Sequence, residues 1–337
     1  MDVTSFFSSN SYLFLPTSSN PKVALVVDDD ALAQNAFKLY NPFSAKAQYL
    51  KMVIRFLFLN ANGFTKAIAS LKKQKKGVFI QYLETKLNTS LVSSVYFATA
   101  NDKVVIQLQS NNKIIGYIKF PLNEFGVKHI NNEIKAINIL SEKKMIAPAI
   151  LMDYFNETPY LFLQELEGKI KEVSEQELHT LLQKFKKQNK YALKVHPRIL
   201  QLTEKLSENN LHMELAILEK VCQSSQATYY EVYEHGDFAP WNLITHKQQI
   251  TPFDFEYFEK NGLEYIDLIK YYFQIGKLLK GKKGNELIKY IKKHVKLSEI
   301  SILLQLFLII EIGRKKVEGE LYEFEINLMG MIFEKTH

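Results

Sequence analysis

Glu234-His235-Gly236-Asp237-Phe238-Ala239-Pro240-Trp241-Asn242, closely followed by Thr251-Pro252-Phe253-Asp254-Phe255-Glu256, decides how this chain is read. Asp237 and Asn242 stand five positions apart. That is the D-x-x-x-x-N offset with which one loop supplies a carboxylate for a hydroxyl proton and an amide oxygen for Mg²⁺ in phosphoryl transfer. After Asn242 come an apolar-polar run (Leu243-Ile244-Thr245-His246), a polar turn (Lys247-Gln248-Gln249) and a second short run (Ile250-Thr251-Pro252-Phe253), a pattern that predicts a hairpin. Arms of similar length bring Asp254 back beside Asn242, and a carboxylate plus an amide oxygen suits a hard cation such as Mg²⁺. Taken singly, Asp237 reads as a loop acid or helix cap, Asn242 as a turn residue and Asp254 as a strand-end acid. Their joint spacing makes Asp237, Asn242 and Asp254 the candidate catalytic set, with Asn242 and Asp254 as the metal ligands.

His235-Gly236-Asp237-Phe238-Ala239-Pro240-Trp241-Asn242 with the later Asp254-Phe255-Glu256 resembles the aminoglycoside phosphotransferase and choline kinase group of protein-kinase-like small-molecule kinases, over roughly residues 90 to 337. Within that group it looks most like bacterial phosphotransferase-domain proteins of surface-polysaccharide or lipopolysaccharide synthesis. The resemblance implies an α+β, two-lobed protein-kinase-like fold, with a small antiparallel-sheet N-lobe and a mostly helical C-lobe. It implies an enzyme that uses Mg²⁺ to move the γ-phosphate of ATP or GTP to a hydroxyl of a small molecule or sugar, surface-glycan precursors included. It also implies that His235 packs beneath the loop and fixes Asp237 rather than carrying protons. Phe238 and Trp241 become loop anchors. Asp267, in Gly262-Leu263-Glu264-Tyr265-Ile266-Asp267-Leu268, either supports the loop from behind or is an ordinary acid at a helix start.

A kinase of this kind needs a strand lysine on the α/β-phosphates and a helix glutamate to orient it. Val104 to Leu108 and Ile114 to Phe120 are β-rich runs around the polar turn Ser110-Asn111-Asn112-Lys113, so they read as adjacent antiparallel strands. Lys119 lies near the end of the second. Ile130, Ile134, Ile137 and Leu140 then mark one stripe of a helix, with Glu133 near its start. Lys119 and Glu133 are the expected ion pair. Pro148 to Tyr154 and Tyr160 to Leu166 read as the next two strands, and by resemblance Gln164, Glu165 and Leu166 form a nucleotide-binding hinge that acts through its backbone. The phosphate-covering loop departs from the kinase pattern, because Ala98-Thr99-Ala100-Asn101-Asp102-Lys103 has no glycine. There Lys103 is either a phosphate contact or a surface charge. The loop supports a rival reading of the whole chain, a nucleotide-binding pseudokinase with a scaffold or regulatory role.

The domain expectation is an extension over residues 1–90 packed on the N-lobe, an N-lobe over 91–166 and a helical C-lobe over 167–337. In the extension, 23–27 reads as a strand, Asp28-Asp29-Asp30 as the cap of a following helix, and 45–71 as helical with a break near Asn60-Ala61-Asn62-Gly63. In the C-lobe, Ser174-Glu175-Gln176-Glu177 is a capping box, Pro197 suits a first helical turn, and 211–221 forms a third helix. A length of 337 residues with 47% hydrophobic and 12% aromatic content describes a globular chain with a sizeable core. The net charge of +7 is compatible with a nucleotide or another anionic small partner, and no nucleic-acid-binding motif accompanies it. Cys222 is the only cysteine, which excludes an intrachain disulfide and a cysteine metal cluster. With no secretion signal and no transmembrane segment, the expected setting is the cytoplasm.

Overall fold

A computed structural model describes residues 2–17, 19–39, 45–60, 71–97 and 102–333. The glycine-free loop at 98–101 and the helix break at 61–63 lie outside the described residues. The fold is α+β, with two compact units, Met1–Gly168 and Lys169–His337.

The first unit is built on an eight-stranded antiparallel sheet. Its strands are β1 (Ser11–Leu15), β2 (Val23–Val26), β3 (Leu71–Lys73), β4 (Val92–Phe97), β5 (Lys103–Ser110), β6 (Lys113–Pro121), β7 (Leu151–Phe155) and β8 (Thr158–Leu163). They are ordered β3-β1-β2-β4-β5-β6-β8-β7. Residues before position 90 therefore supply strands of the same sheet that carries Lys119. Alternation sets the two faces of β5. Val104, Ile106 and Leu108 point into an apolar core with Ile118 and Phe120 of β6. Rings of Phe6, Phe79, Phe120 and Tyr160 meet there at centroid distances of 5.0–5.7 Å. On the other face Gln107 and Gln109 are fully buried, and their amides donate to the carbonyls of Asn35 and Leu32. The helix Asp30–Ala36 starts where Asp29 accepts from Leu32 N at 2.8 Å. Leu71, read as helical from its sequence, instead opens β3 through pairing with Leu13.

The helix Glu124–Glu142 begins at Asn123, whose side chain accepts from Gly126 N at 2.9 Å. Ile130 and Ile137 pack with Leu161 of β8, which seats the helix against the sheet.

The second unit is mostly helical. Its helices are Glu175–Lys184, Pro197–Glu208, His212–Ser224, Ile266–Gln274 (continued by a π turn), Gly284–His294, Ile300–Glu318 and Glu323–Phe333. Ser174 and Glu177 form a reciprocal capping box, and Pro197 stands in the first turn of its helix. Two three-stranded sheets complete the unit: β10 (Lys186–Ala192), β11 (Thr228–Glu234) and β14 (Glu259–Leu263), and β9 (Lys169–Ile170), β12 (Leu243–His246) and β13 (Gln249–Pro252). Among the described residues no helix is long and apolar enough to cross a membrane.

Candidate active site

In the first unit Lys119 and Glu133 are brought together. Val105 and Lys119 are register partners on the sheet, and Lys119 and Glu133 are 7% and 1% exposed. Lys119 Nζ donates to both Glu133 oxygens, at 2.8 and 2.6 Å. Burying both charges is tolerable because each satisfies the other. The helix that carries Glu133 is also tied down nearer its start, where His129 Nδ1 lies 3.1 Å from Asp102 Oδ2 and helps hold the Asp102 carboxyl below its usual range. Lys103 opens β5, buried and opposite Pro121. Gln164, Glu165 and Leu166 follow β8 in irregular chain, and Glu165 lies 3.7 Å from Lys38.

In the second unit the candidate loop runs from the end of β11 through a short 3₁₀ turn, Pro240–Asn242, into the hairpin β12–β13. Leu243 pairs with Pro252, and Phe253 N donates to Asn242 O at 3.0 Å. Asn242 and Asp254 therefore leave the same end of the hairpin. Asp254 has φ +70°, a left-handed conformation uncommon for a residue with a side chain. Buried Asn242 turns its amide nitrogen to Asp237, donating to the backbone oxygen at 2.8 Å and to Oδ2 at 3.2 Å. Its amide oxygen is then the atom able to meet a cation.

Asp267, His235, Gly236 and Phe238 fix this loop. His235 N and Gly236 N donate to the two Asp267 oxygens at 2.7 and 3.0 Å. The His235 ring donates to the Phe253 carbonyl through Nε2 at 2.9 Å and packs, tilted by 34°, on Phe255 at a centroid distance of 4.5 Å. Gly236 sits at φ +81°, where an added Cβ would come within 2.1 Å of the Tyr257 carbonyl oxygen, so no side chain fits between His235 and Asp237. Phe238 is 1% exposed and anchors the loop. Burial pushes the Asp267 carboxyl up to about 7; the nearby Glu234 adds to this, while the two backbone donors and Lys270 oppose it.

Lys270 is a member of the site that motif reading passes over. It is 3% exposed, 2.8 Å from Glu311 Oε2 and 3.4 Å from Asp237 Oδ1. Burial works against its charge, but Glu311 and Asp237 outweigh that and hold its pKa above the ordinary lysine value. Asp237 thus has Lys270 on one oxygen and Asn242 on the other. A signal was present in Ile266-Asp267-Leu268-Ile269-Lys270-Tyr271-Tyr272-Phe273, where a lone lysine interrupts an apolar helix one turn after Asp267. Its partner Glu311 has no spacing that would reveal it. Behind Glu234, Arg198 donates to both carboxylate oxygens at 2.9 and 3.3 Å, a second buried pair without a motif.

No protein-family model and no curated protein matches the chain. Among solved structures it is similar to an ethanolamine kinase of Plasmodium vivax, at 13% identity over 91% of this chain and 94% of that one, with a TM-score of 0.45. It is similar to an aminoglycoside phosphotransferase in a complex with streptomycin and ATP, at 13% identity over 75% and 96% of the two chains, TM-score 0.44. A third is an aminoglycoside phosphotransferase of Streptomyces rimosus, at 11% identity over 69% and 97%, TM-score 0.42. Likenesses this distant say nothing about substrate.

Proposed function

We propose that the chain is a phosphotransferase that moves the γ-phosphate of ATP or GTP, with Mg²⁺, to a hydroxyl of a small molecule or sugar. The observation that carries this reading is the hold on Asp237: one oxygen faces Lys270 at 3.4 Å, the other accepts from Asn242 at 3.2 Å, and the hairpin returns Asp254 to the Asn242 end. A loop acid with no chemical task has no need of a buried lysine and a buried amide to aim it.

The residues fit a hard divalent cation, since the Asn242 amide oxygen and the Asp254 carboxylate are both oxygen donors. When bound, Mg²⁺ supplies neutralising charge for the phosphates. The chain's own residues do the rest. Asp237 orients the acceptor hydroxyl and takes its proton, and the Lys270 ammonium steadies the carboxylate while it does so. Lys119, oriented by Glu133, meets the α/β-phosphates, and the 164–166 segment offers backbone groups to the base. His235 and Asp267 keep the loop from shifting. Catalysis of this kind is mostly positioning and charge stabilisation.

The test is turnover of ATP and GTP with Mg²⁺ against sugars, glycan fragments, amino alcohols and aminoglycosides, beside Asp237→Asn. Acceptor-dependent turnover should appear with one class and fall by about 10²–10⁴-fold in the variant, the range of a lost general base. Magnesium-dependent nucleotide binding without turnover would transfer the assignment to the pseudokinase scaffold, and absence of nucleotide binding would overturn both.

A further inference from the structure

The helix Ala45–Asn60 is apolar on two sides. Ile54 and Leu59 pack on the core of the first unit, and the helix rests against Asp30–Ala36. Tyr49, Met52 and Phe56 follow one another at the i, i+3, i+7 spacing of a single stripe, and they are 66%, 59% and 64% exposed. Leu50, at 59%, is exposed as well. Three large apolar side chains in a row on water are the mark of a surface that something else covers.

The charge of the surrounding chain says what. From Ala31 to Leu83 the sequence holds nine basic residues (Lys38, Lys46, Lys51, Arg55, Lys66, Lys72, Lys73, Lys75 and Lys76) and no Asp or Glu. Of the chain's 43 lysines and arginines that leaves 34 elsewhere against all 36 acids, so the net positive charge of +7 comes from this one segment. Arg55 is exposed beside the stripe, and Lys72, Lys73, Lys75 and Lys76 are exposed too, although Lys76 pairs with Glu84 at 2.8 Å. A helical stripe of apolar and aromatic side chains with exposed Arg55 beside it, in a stretch of sequence that carries bases and no acid, matches a surface that is apolar inside and anionic at its rim. At 16 residues the helix is about 24 Å long, too short to span a bilayer and suited to lying in its interface. A second copy of the chain fits poorly, because this face would bring like charges together.

We propose that the face formed by Tyr49, Met52 and Phe56 docks the protein on a membrane surface rich in anionic lipid. The inference is independent of the phosphotransferase reading. The full chain should co-sediment with vesicles of phosphatidylcholine plus phosphatidylglycerol at least about tenfold better than with phosphatidylcholine alone. Binding should weaken as salt rises from about 0.1 M to about 0.5 M, as screening requires. The triple variant Tyr49→Ser, Met52→Ser, Phe56→Ser should lose vesicle binding, and Arg55→Glu should weaken it about tenfold; both should keep the parent's thermal unfolding curve. Should the triple variant unfold, Arg55→Glu alone decides. Equal binding to the two vesicle types, no binding to either, or variants that bind like the parent would overturn the proposal. So would a dimer, or salt-sensitive oligonucleotide binding without vesicle binding, that the same substitutions abolish.

Discussion

At Lys270 one ammonium serves two carboxylates, Glu311 at 2.8 Å and Asp237 at 3.4 Å. Removing it leaves buried Glu311 with the more distant Arg314 guanidinium, 3.6 Å away, so Lys270→Met should cost about 1–3 kcal/mol in denaturant unfolding. Replacing both partners separates structure from function: Lys270→Met with Glu311→Leu should recover most of that stability and still turn over slowly. Its kcat should fall while KM for nucleotide stays near the parent value, because what is missing is the hold on Asp237. Full turnover in the double variant would make Lys270 purely structural. Gly236 gives a sharper case of geometry at one residue. With φ +81° and a Cβ that would meet the Tyr257 carbonyl oxygen at 2.1 Å, Gly236→Ala should lower both stability and turnover, by about 1–3 kcal/mol in the unfolding measurement. The motif around Asp237 was legible in the sequence, since its members lie within one loop and hairpin. Lys270 and Glu311 were not, because they are 41 positions apart and meet only through helix packing.

The helix Glu124–Glu142 shows how an element presents a site residue. Asn123 caps it, Gly126 lets it lie against the carbonyl of Asp102, and Glu133 then reaches Lys119. A Cβ on Gly126 would stand 2.0 Å from Asp102 O, so the backbone has to give. Gly126→Ala should therefore destabilise the protein by about 1–3 kcal/mol in urea unfolding and weaken nucleotide binding, whereas substitution at exposed Lys135 should do neither. The helix stripe, the β5–β6 pair, the capping box at Ser174 and the β12–β13 hairpin could be read in advance because each is written in a local period, cap or turn. Strands β10 and β14 could not. Lys186-Lys187-Gln188-Asn189-Lys190 carries no strand alternation, and in the sheet the Lys186 and Lys187 ammoniums meet Glu264 and Glu231 at 2.7 and 2.6 Å and lie over the Tyr230 and Tyr233 rings at 3.8 and 4.6 Å. Gly262 opens the stretch that leads to a helix at Asp267, yet it lies inside strand β14 at a point where its missing side chain lets the strand approach Glu234: an added Cβ would be 2.1 Å from the Glu234 Cβ.

Across the whole molecule, acids with shifted pKa values pull stability in two opposite directions as pH changes. Asp102 is held below its usual pKa first by the His129 hydrogen bond. Burial would raise Glu299 and Glu325, but the Ser225 and Tyr229 donors in one case and Lys277 and Lys315 in the other outweigh it and hold both below. These three contribute stability that is present above their unfolded values of 3.8 and 4.5 and is lost as pH falls through the lower folded values. Asp267 has the other sign. Its carboxyl is pushed from 3.8 up to about 7, so between those values the folded chain holds a proton that the unfolded chain has released, and stability falls as pH rises. The two groups together predict a melting temperature that climbs out of acid, turns over near pH 4 to 5, and declines toward neutrality. Asp267→Asn cannot ionise. It gives up one acceptor for the His235 and Gly236 amides and lowers stability at acid pH, but it should remove the decline. Thermal unfolding of parent and variant across pH 4 to 7 decides the matter: parallel curves would mean that Asp267 titrates at its ordinary value, while curves that converge as pH rises would tie the global stability of the protein to the one carboxylate that holds up its candidate catalytic loop.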